Sequence, residues 1–147
     1  MSDRIALLHK GVLEQVAPPQ EIYTHPATSY AAQFIGHTNL LKAEVRGGIA
    51  RCSSLAWSSQ VPDGPAVFSL RPENIRVVPA ATPGAVYLRG KVIHQAFHGA
   101  TELIRVECAG SLVLTVRTAS EVREKEEVAL EFSPADVVAV RESAERV

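Results

Sequence analysis

The sequence has few of the features by which several common protein classes are recognised. Its two cysteines, Cys52 and Cys108, are too few for a disulfide scaffold or a four-cysteine zinc site. Both lie in strand-like runs, so we expect them to be small buried hydrophobes. No apolar run approaches the roughly 20 residues that cross a bilayer, and the first residues lack the apolar length and cleavage site of a signal peptide. A soluble, cytoplasmic protein is therefore expected.

A charge bias of either sign is also absent. The chain of 147 residues has 15 Lys and Arg against 16 Asp and Glu, which leaves a net charge of -1. A domain held to nucleic acid mainly through phosphate contacts is normally more basic, so no nucleic-acid partner is expected. The content of 46% hydrophobic and 21% charged residues is that of a folded domain and excludes disorder of the whole chain.

Sequence signatures of catalysis are missing as well. The nearest approach to a phosphate loop, residues 84–92, has five residues between its glycines, and Val92 lacks the hydroxyl that would bind Mg²⁺. His94 and His98 lie in a strand-like run, without an HExxH motif or a cysteine cluster. No GxSxG or SxxK segment supplies a nucleophile. We therefore expect no catalytic residue, no metal and no cofactor in this chain.

Residues 1–38 predict a short α/β segment. Two apolar runs, 5–8 and 12–16, are separated by a turn and predict a hairpin. Pro19 suits the first turn of a short helix that ends near Thr24. A second helix is predicted from Pro26 to a C-cap at Gly36, with an apolar stripe of Ala27, Tyr30, Ala31, Phe34 and Ile35. These elements are too small to close a core alone, so we expect them to be the end of a larger domain.

From residue 39 the pattern changes to short strands with a period of two. Strands are predicted at 40–45, 49–55, 66–70, 75–78, 85–97, 101–108, 112–117, 126–132 and 137–140, with a one-turn helical corner at 133–136. Their inward faces include Ile104, Val106, Cys108, Leu112, Leu114, Val116, Val128, Leu130 and Phe132. The predicted fold class is mainly β: a small antiparallel barrel of the oligonucleotide/oligosaccharide-binding type over 39–142, followed by a frayed tail at 143–147. No internal repeat is recognised.

Residues 71–74, the elbow, form the first candidate site. Arg71 and Glu73 flank Pro72, whose fixed φ holds the two charged side chains in a nearly constant relative geometry, and Asn74 follows. Such an elbow can bind an anion or a partner chain, or it can hold two lobes together by an ion pair. The alternative is an intradomain corner without a binding role.

Residues 97–102, the hairpin tip, form the second candidate site. Gly99 stands between two predicted strands and lets a ligand or a neighbouring backbone approach closely. Phe97, His98, Thr101 and Glu102 can then line a shallow site. An ordinary hairpin turn is the alternative. Elbow and tip are both candidates for ligand or dimer contacts.

Four phrases occur in an order that resembles a known family. They are SDRIALLHKGVLEQVAPPQEIYTHPATSYAAQFIG at 2–36, TNLL at 38–41, VFSLRPENIRV at 67–77 and GKVIHQAFHGATELIRVE at 90–107. Together they resemble the ATP-hydrolysing subunits of bacterial binding-protein-dependent ABC importers, of the sugar, polyamine and ferric-iron group. The first phrase is similar to the end of the ATPase domain, and the later ones resemble a TOBE-type regulatory domain of OB-like fold.

The resemblance implies a regulatory, non-catalytic part of such a subunit. The family's phosphate loop, signature motif, catalytic glutamate and switch histidine all lie upstream of a segment like 2–8, so Mg-ATP would belong to the full-length parent. A fragment or a truncated coding frame is the expected explanation. The implied partners are a second copy in a homodimer, the upstream ATPase domain, the membrane permease subunits and a small-molecule effector.

The resemblance also implies a location at the inner face of the cell membrane, within the assembled transporter. The transported solute is not encoded here, because a binding protein and a permease would select it. A free-standing module of the same fold that binds a small oxyanion or another solute is the alternative function. A nucleic-acid-binding barrel and an independent enzyme are weaker alternatives, because the chain has neither a basic groove nor an assembled catalytic set.

Overall fold

The computed structural model describes residues 4–35, 37–119 and 122–141, and it leaves the side chains of Ile35 and His98 undescribed. The predicted C-cap at Gly36 and the predicted frayed tail at 143–147 lie outside these residues. Within the described ranges, no helix is long and apolar enough to cross a membrane.

The N-terminal segment (residues 4–35) contains a hairpin and two short helices. Its elements are β1 (Ile5–His9), β2 (Val12–Ala17), α1 (Pro19–Thr24) and α2 (Ser29–Ile35), and β1 pairs antiparallel with β2. The predicted hairpin and the predicted bounds of α1 are confirmed. Four apolar side chains of this segment form a small buried cluster of their own: Leu7, Ala17, Ile22 and Ala31.

The predicted start of the second helix at Pro26 was wrong. The Thr28 hydroxyl accepts a hydrogen bond from the Ala31 N–H at 3.1 Å and so caps a helix that begins at Ser29. The preceding residues form a bridge to Arg141 instead, because Ala27 and Ser29 exchange backbone hydrogen bonds with it, at 2.9 and 2.8 Å. A long-range contact therefore sets where this helix begins.

The β-domain (residues 39–141) contains two five-stranded antiparallel sheets. Its strands are β3 (Asn39–Arg46), β4 (Ile49–Cys52), β5 (Leu55–Ser58), β6 (Gly64–Leu70), β7 (Arg76–Val78), β8 (Val86–His98), β9 (Thr101–Cys108), β10 (Val113–Thr118), β11 (Glu127–Phe132) and β12 (Val138–Val140). The sheet orders are β12-β6-β3-β4-β5 and β10-β9-β8-β11-β7. The predicted mainly β, OB-like antiparallel fold class is confirmed.

The predicted single strand at 49–55 was wrong, because a tight turn divides it. Ser53 has a φ of 55°, in the left-handed region that L-residues rarely adopt. The chain reverses there, so that Cys52 pairs with Leu55 and β4 forms a hairpin with β5. Nothing in the alternation of side chains marks this serine as a turn residue.

The two sheets are related by an internal duplication of strand order. Each strand of the first sheet has a counterpart in the second: β3 corresponds to β8, β4 to β9, β5 to β10, β6 to β11 and β12 to β7. The counterparts follow one another in the same order across the two sheets. The halves also exchange their last strands, since β7 pairs with β11 and β12 pairs with β6. Each exchange passes through a proline-containing 3-10 turn, Pro72–Asn74 in one half and Pro134–Asp136 in the other. The expectation of no internal repeat was therefore wrong at the level of structure.

One hydrophobic core lies between the two sheets. Trp57 packs edge-on against Phe68 and Phe132, with ring centroids 5.2 and 6.4 Å away. Eight of the nine predicted inward-facing residues are buried, and Leu112 packs against the core while partly exposed. Gly90 in β8 allows β9 to approach closely, because a Cβ at this position would lie 2.5 Å from Cγ1 of Val106.

Asn39 joins the two sheets at the point where the chain enters the β-domain. Its amide nitrogen donates to the carbonyls of Leu70 and Thr115, at 3.1 and 2.8 Å. Its Oδ1 accepts from the Thr115 N–H at 2.7 Å, and the side chain is buried. A single amide thus satisfies three backbone groups that belong to different sheets.

Both cysteines are buried, as predicted, and we expect them to react slowly. Burial raises the pKa of both thiols, and for Cys108 burial and the charge of Glu107 raise the pKa to about 11. Because the thiolate is the reactive form, dithionitrobenzoate at pH 8 should label Cys108 at least about 100-fold more slowly than free cysteine. The labelling rate should rise with pH up to that pKa. Urea should restore fast labelling, whereas fast labelling of folded protein would contradict the prediction.

Candidate functional site

Arg71 fastens the β-domain to the N-terminal segment. It follows β6 and is 5% exposed. Its Nη2 donates to the Tyr23 carbonyl at 3.1 Å and its Nη1 to the His37 carbonyl at 3.3 Å. The guanidinium carbon lies 4.4 Å from the centroid of the Tyr23 ring, a cation–π geometry. Burial lowers the pKa of this guanidinium below its ordinary value.

The position of Arg71 follows from the backbone of α1. Tyr23 lies in the last turn of this helix, where carbonyls have no partner within the helix and where positive charge is favourable. The planar fork of an arginine can reach two carbonyls at once. Among the roles predicted for the elbow, these contacts fit the joining of the β-domain to the N-terminal segment. The partners described for Arg71 are carbonyls and not the carboxylate of an ion pair.

The rest of the elbow faces outward or into a groove. Glu73 is exposed on the 3-10 turn and Asn74 is half-buried. Asn74, but not Glu73, lines a cavity of about 210 Å³ between the β-domain and the N-terminal segment, the junction groove. Tyr23, Arg71 and Asp136 also line it. The sequence did not single out Tyr23 or Asp136, although Asp136 ends a predicted helical corner.

The hairpin tip is an ordinary tight turn that carries an exposed aromatic ring. Gly99 and Ala100 join β8 to β9, and Gly99 has a φ of 66°, which suits a two-residue hairpin loop. Phe97 is 73% exposed, the highest value among the large hydrophobic side chains described. The Thr101 hydroxyl accepts from Nη1 of Arg117 at 3.4 Å. His98 belongs to β8, but its side chain lies outside the description.

Glu102 lies opposite Phe97 in the pairing of β8 with β9, so the two side chains are on the same face of the hairpin. It is buried and accepts a hydrogen bond from Nε2 of Gln95 at 2.7 Å. The same nitrogen donates to the Val122 carbonyl at 2.6 Å. A cavity of about 410 Å³ lies beside these residues, bounded also by Phe97, Arg123 and Glu126. Because it shares no lining residue with the junction groove, the elbow and the tip do not form one site.

The described residues offer no metal centre, since no group of three His, Cys, Asp or Glu side chains among them could hold an ion. The candidate sites are therefore a junction with a groove and an exposed hairpin tip. Both arrangements suit the binding of a ligand or a partner chain.

Comparison with known proteins agrees with this architecture. Residues 68–140 match the TOBE domain family. The spermidine/putrescine import ATP-binding protein PotA 1 of Pseudomonas aeruginosa is 37% identical over 129 residues, which are 80% of this chain and 34% of that protein. This chain belongs to the TOBE-domain region of ABC importer ATP-binding subunits. The family predicted from the four sequence phrases is confirmed.

Other relatives are import ATP-binding proteins named for different solutes. The sulfate/thiosulfate import ATP-binding protein CysA 2 of Chromobacterium violaceum is 34% identical, over 80% of this chain and 33% of that protein. The sn-glycerol-3-phosphate import ATP-binding protein UgpC of Jannaschia sp. is 34% identical, over 80% of this chain and 38% of that protein. The chain thus spans about a third of the length of these curated relatives.

A solved structure shares the fold. The cytoplasmic molybdate-binding protein ModG, crystallised with molybdate bound, has a TM-score of 0.61 over 70% of this chain and 95% of that chain. The sequence identity is 10%, so the likeness concerns the fold alone. It supports the OB-like description of the TOBE region.

Proposed function

We propose that this chain is the regulatory and dimerisation domain of an importer ATP-binding subunit and is not itself catalytic. It would couple an ATPase dimer to solute uptake at the cytoplasmic face of the membrane, next to the permease subunits. Mg-ATP would be bound by the ATPase domain of the full-length parent. A contact that persists between two copies would keep the ATPase halves at a high effective concentration after hydrolysis separates them. The exposed hairpin tip is the observation that carries the dimerisation proposal.

An apolar face of the N-terminal segment supports the proposed contact with an ATPase domain. The face consists of Leu8, Leu13 and Val16 on one side of the β1–β2 hairpin, which are 62%, 54% and 46% exposed. Contiguous exposed apolar side chains are characteristic of interaction surfaces. Arg71 holds this segment against the β-domain, so a movement of the ATPase domain would be transmitted to the β-domain.

The internal duplication supports the assignment of the tip as a contact with a second copy. The strands that correspond to β8 and β9 in the first half are β3 and β4. β8 has 13 residues against 8 in β3, and β9 has 8 against 4 in β4. The tip is therefore an extension without a counterpart in the other half. The packing of the duplicated core does not require it.

The surroundings of Phe97 suit a self-complementary contact. The cavity of about 410 Å³ beside Phe97 is lined by Arg123 and by two acidic residues, Glu102 and Glu126. In a two-fold dimer, the same patch of each copy contacts its equivalent. Each Phe97 can then enter the cavity of the other copy, while Arg123 of one copy faces Glu126 of the other.

Replacing Phe97 with serine should weaken the dimer by at least about 30-fold, because a buried aromatic anchor contributes about 2 kcal/mol or more. Sedimentation velocity over a concentration series measures the dissociation constant. Leu13→Ser is the matched control, since it removes a comparably exposed apolar side chain from the N-terminal segment. The proposed contact would be contradicted if Phe97→Ser left the dimer intact while Leu13→Ser dissociated it.

A free-standing module that binds a small oxyanion is the second candidate function. The junction groove beside Arg71 favours it, and the solved structure of shared fold is a molybdate-binding protein. A ligand present at a hundredfold over its dissociation constant stabilises a protein by about 2.7 kcal/mol. This function would be favoured if the chain stayed monomeric and molybdate or sulfate raised its melting temperature. Arg71→Lys should then abolish that rise.

A further inference from the structure

The edge strands β5 and β10 occupy corresponding places in the two sheets. Starting from the last buried residues described in β3 and β8, the pairings run through Val45, Ala50 and Trp57 in the first sheet and through Val92, Val106 and Leu114 in the second. Ser58 follows Trp57 and Thr115 follows Leu114. Ser58 and Thr115 are therefore equivalent positions, and the surroundings of the two edges can be compared there.

The chain itself covers the edge of β10. The Asn39 side chain bonds to both the N–H and the carbonyl of Thr115, at 2.7 and 2.8 Å. The 3-10 turn Pro72–Asn74 packs against the same strand, and β10 also contacts β7, the other edge strand of its sheet. The outward backbone groups of Thr115 thus have partners within the chain, so no further strand can pair with β10 at this position.

The equivalent edge of β5 is uncovered. The Ser59 N–H donates to the Gly48 carbonyl at 2.9 Å, and Ser58 lies opposite Ile49. Because hydrogen-bonded and non-hydrogen-bonded pairs alternate along an antiparallel ladder, the backbone groups of Ala56 and Ser58 point away from β4. On that side, neither backbone makes a hydrogen bond with any residue that the structure describes. Such a row of free backbone groups is a template for an added strand.

A groove of about 370 Å³, the edge groove, lies beside this free edge. It is lined by residues of both β5 and β12, the two edge strands of the first sheet. Trp57, Phe68 and Ala139 contribute apolar lining, Ser58 and Gln60 are polar, and none of the described residues that line it is charged. A charged side chain placed there would lose water without gaining a partner of opposite charge, so the edge groove favours an uncharged side chain.

We propose that the free edge of β5 and the edge groove bind an extended peptide segment of a partner protein by strand addition. The backbone of the segment pairs with Ala56 and Ser58, and an uncharged, apolar side chain of the segment enters the edge groove. In this mode of recognition, backbone hydrogen bonds give affinity and a pocket for alternate side chains gives specificity. The site goes beyond the proposed dimer contact, because the edge groove shares no lining residue with the cavity at the hairpin tip.

A second copy of this chain is a poor occupant of the free edge. This step rests on the dimer contact proposed above. If β5 also paired with β5 of another copy, each copy would have two separate two-fold contacts, and copies would join into an open chain instead of stopping at a dimer. A segment of a different protein occupies the edge without this consequence.

Fluorescence titration of the full chain tests the proposal, because Trp57 lines the edge groove and is the only tryptophan in the chain. The probe is an acetylated and amidated pentapeptide that alternates threonine with valine. We expect a saturable change in emission with a dissociation constant below about 1 mM. The same peptide with every amide N-methylated should bind at least about tenfold more weakly, because it cannot donate to the edge. Aspartate in place of both valines should weaken binding by a similar factor.

Ser58→Pro should weaken binding of the threonine–valine peptide at least about tenfold, because proline removes the outward N–H of the edge. Proline is tolerated in edge strands when the missing N–H faces solvent. Ala80→Pro is the matched control, since it places a proline at an exposed residue outside β5 and outside the edge groove. The comparison of the two peptides uses the unmodified chain and does not depend on how Ser58→Pro folds.

Three results would overturn the proposal. They are the absence of a saturable change up to about 5 mM peptide, equal binding of the N-methylated peptide, and equal binding by Ser58→Pro and Ala80→Pro. Sedimentation of the same samples separates these results from a failure of the proposed function. A monomeric chain that binds the peptide overturns the dimerisation proposal alone. A dimer that Ser58→Pro dissociates and Phe97→Ser leaves intact makes a second copy the occupant, and overturns the peptide proposal.

Discussion

Replacing Arg71 with alanine is expected to lower the free energy of unfolding by about 3 kcal/mol. The substitution removes the hydrogen bonds to the Tyr23 and His37 carbonyls and the cation–π contact with Tyr23. It also leaves a cavity between the lobes. For a domain of this size the melting temperature should fall by roughly 6–12 °C in thermal denaturation followed by circular dichroism.

Two further variants separate the role of Arg71 from a general loss of charge. Arg89→Ala removes an arginine whose side chain is 60% exposed and lies 3.9 Å from Glu127. This surface pair should contribute less than about 1 kcal/mol. Arg71→Lys should recover part of the stability, because one ammonium group cannot reproduce the planar fork. If Arg71→Ala melts at the temperature of Arg89→Ala, the elbow does not fasten the lobes.

Replacing Asn39 with alanine is expected to lower the free energy of unfolding by about 2–4 kcal/mol. Two hydrogen bonds between the sheets and one within the first sheet are lost, and the Thr115 N–H and the Leu70 carbonyl lose the partner that Asn39 supplies. These groups are buried where water cannot replace the amide, so the desolvation cost of each is retained. Urea denaturation of the purified variant measures the change.

The matched control for Asn39 is Gln60→Ala. Gln60 is an exposed amide, and its removal should change the unfolding free energy by less than about 0.5 kcal/mol. Equal midpoints for Asn39→Ala and Gln60→Ala would show that the amide bridge between the sheets contributes little. The β-domain would then depend on apolar packing alone.

The parts of the fold that could be predicted from the sequence depend on local rules. Pro19 predicted where α1 begins, and the alternation of apolar and polar residues predicted β9 with its correct bounds. Long-range contacts set what was missed. The start of α2 depends on pairing with Arg141, and the turn after β4 depends on a left-handed serine.

The internal duplication could not be found from the sequence because it preserves strand order and not residue identity. The two exchange corners share a proline, at Pro72 and Pro134, while the charged neighbours Arg71 and Glu73 correspond to the uncharged Ser133 and Ala135. A single sequence reports hydrophobic pattern, and most antiparallel strands share that pattern. The correspondence becomes visible only when the pairing of β7 with β11 and of β12 with β6 is known.

The candidate sites were predicted in part. The proline beside Arg71 singled out the elbow, but the partners of Arg71 are backbone carbonyls, which carry no residue-type signal. Asp136 is 65 positions away in the chain and reaches the junction groove only through the exchange of strands. The role of the hairpin tip in dimer contacts stays a prediction, as do the domain boundaries at 38 and 142.

Sedimentation equilibrium of the unmodified chain tests whether the β-domain holds two copies together. If it does, the measured mass depends on concentration and approaches twice the chain mass of 15.8 kDa. A mass of 15.8 kDa at every concentration up to about 100 µM would contradict the proposed dimer, because a contact that weak could not keep two subunits together.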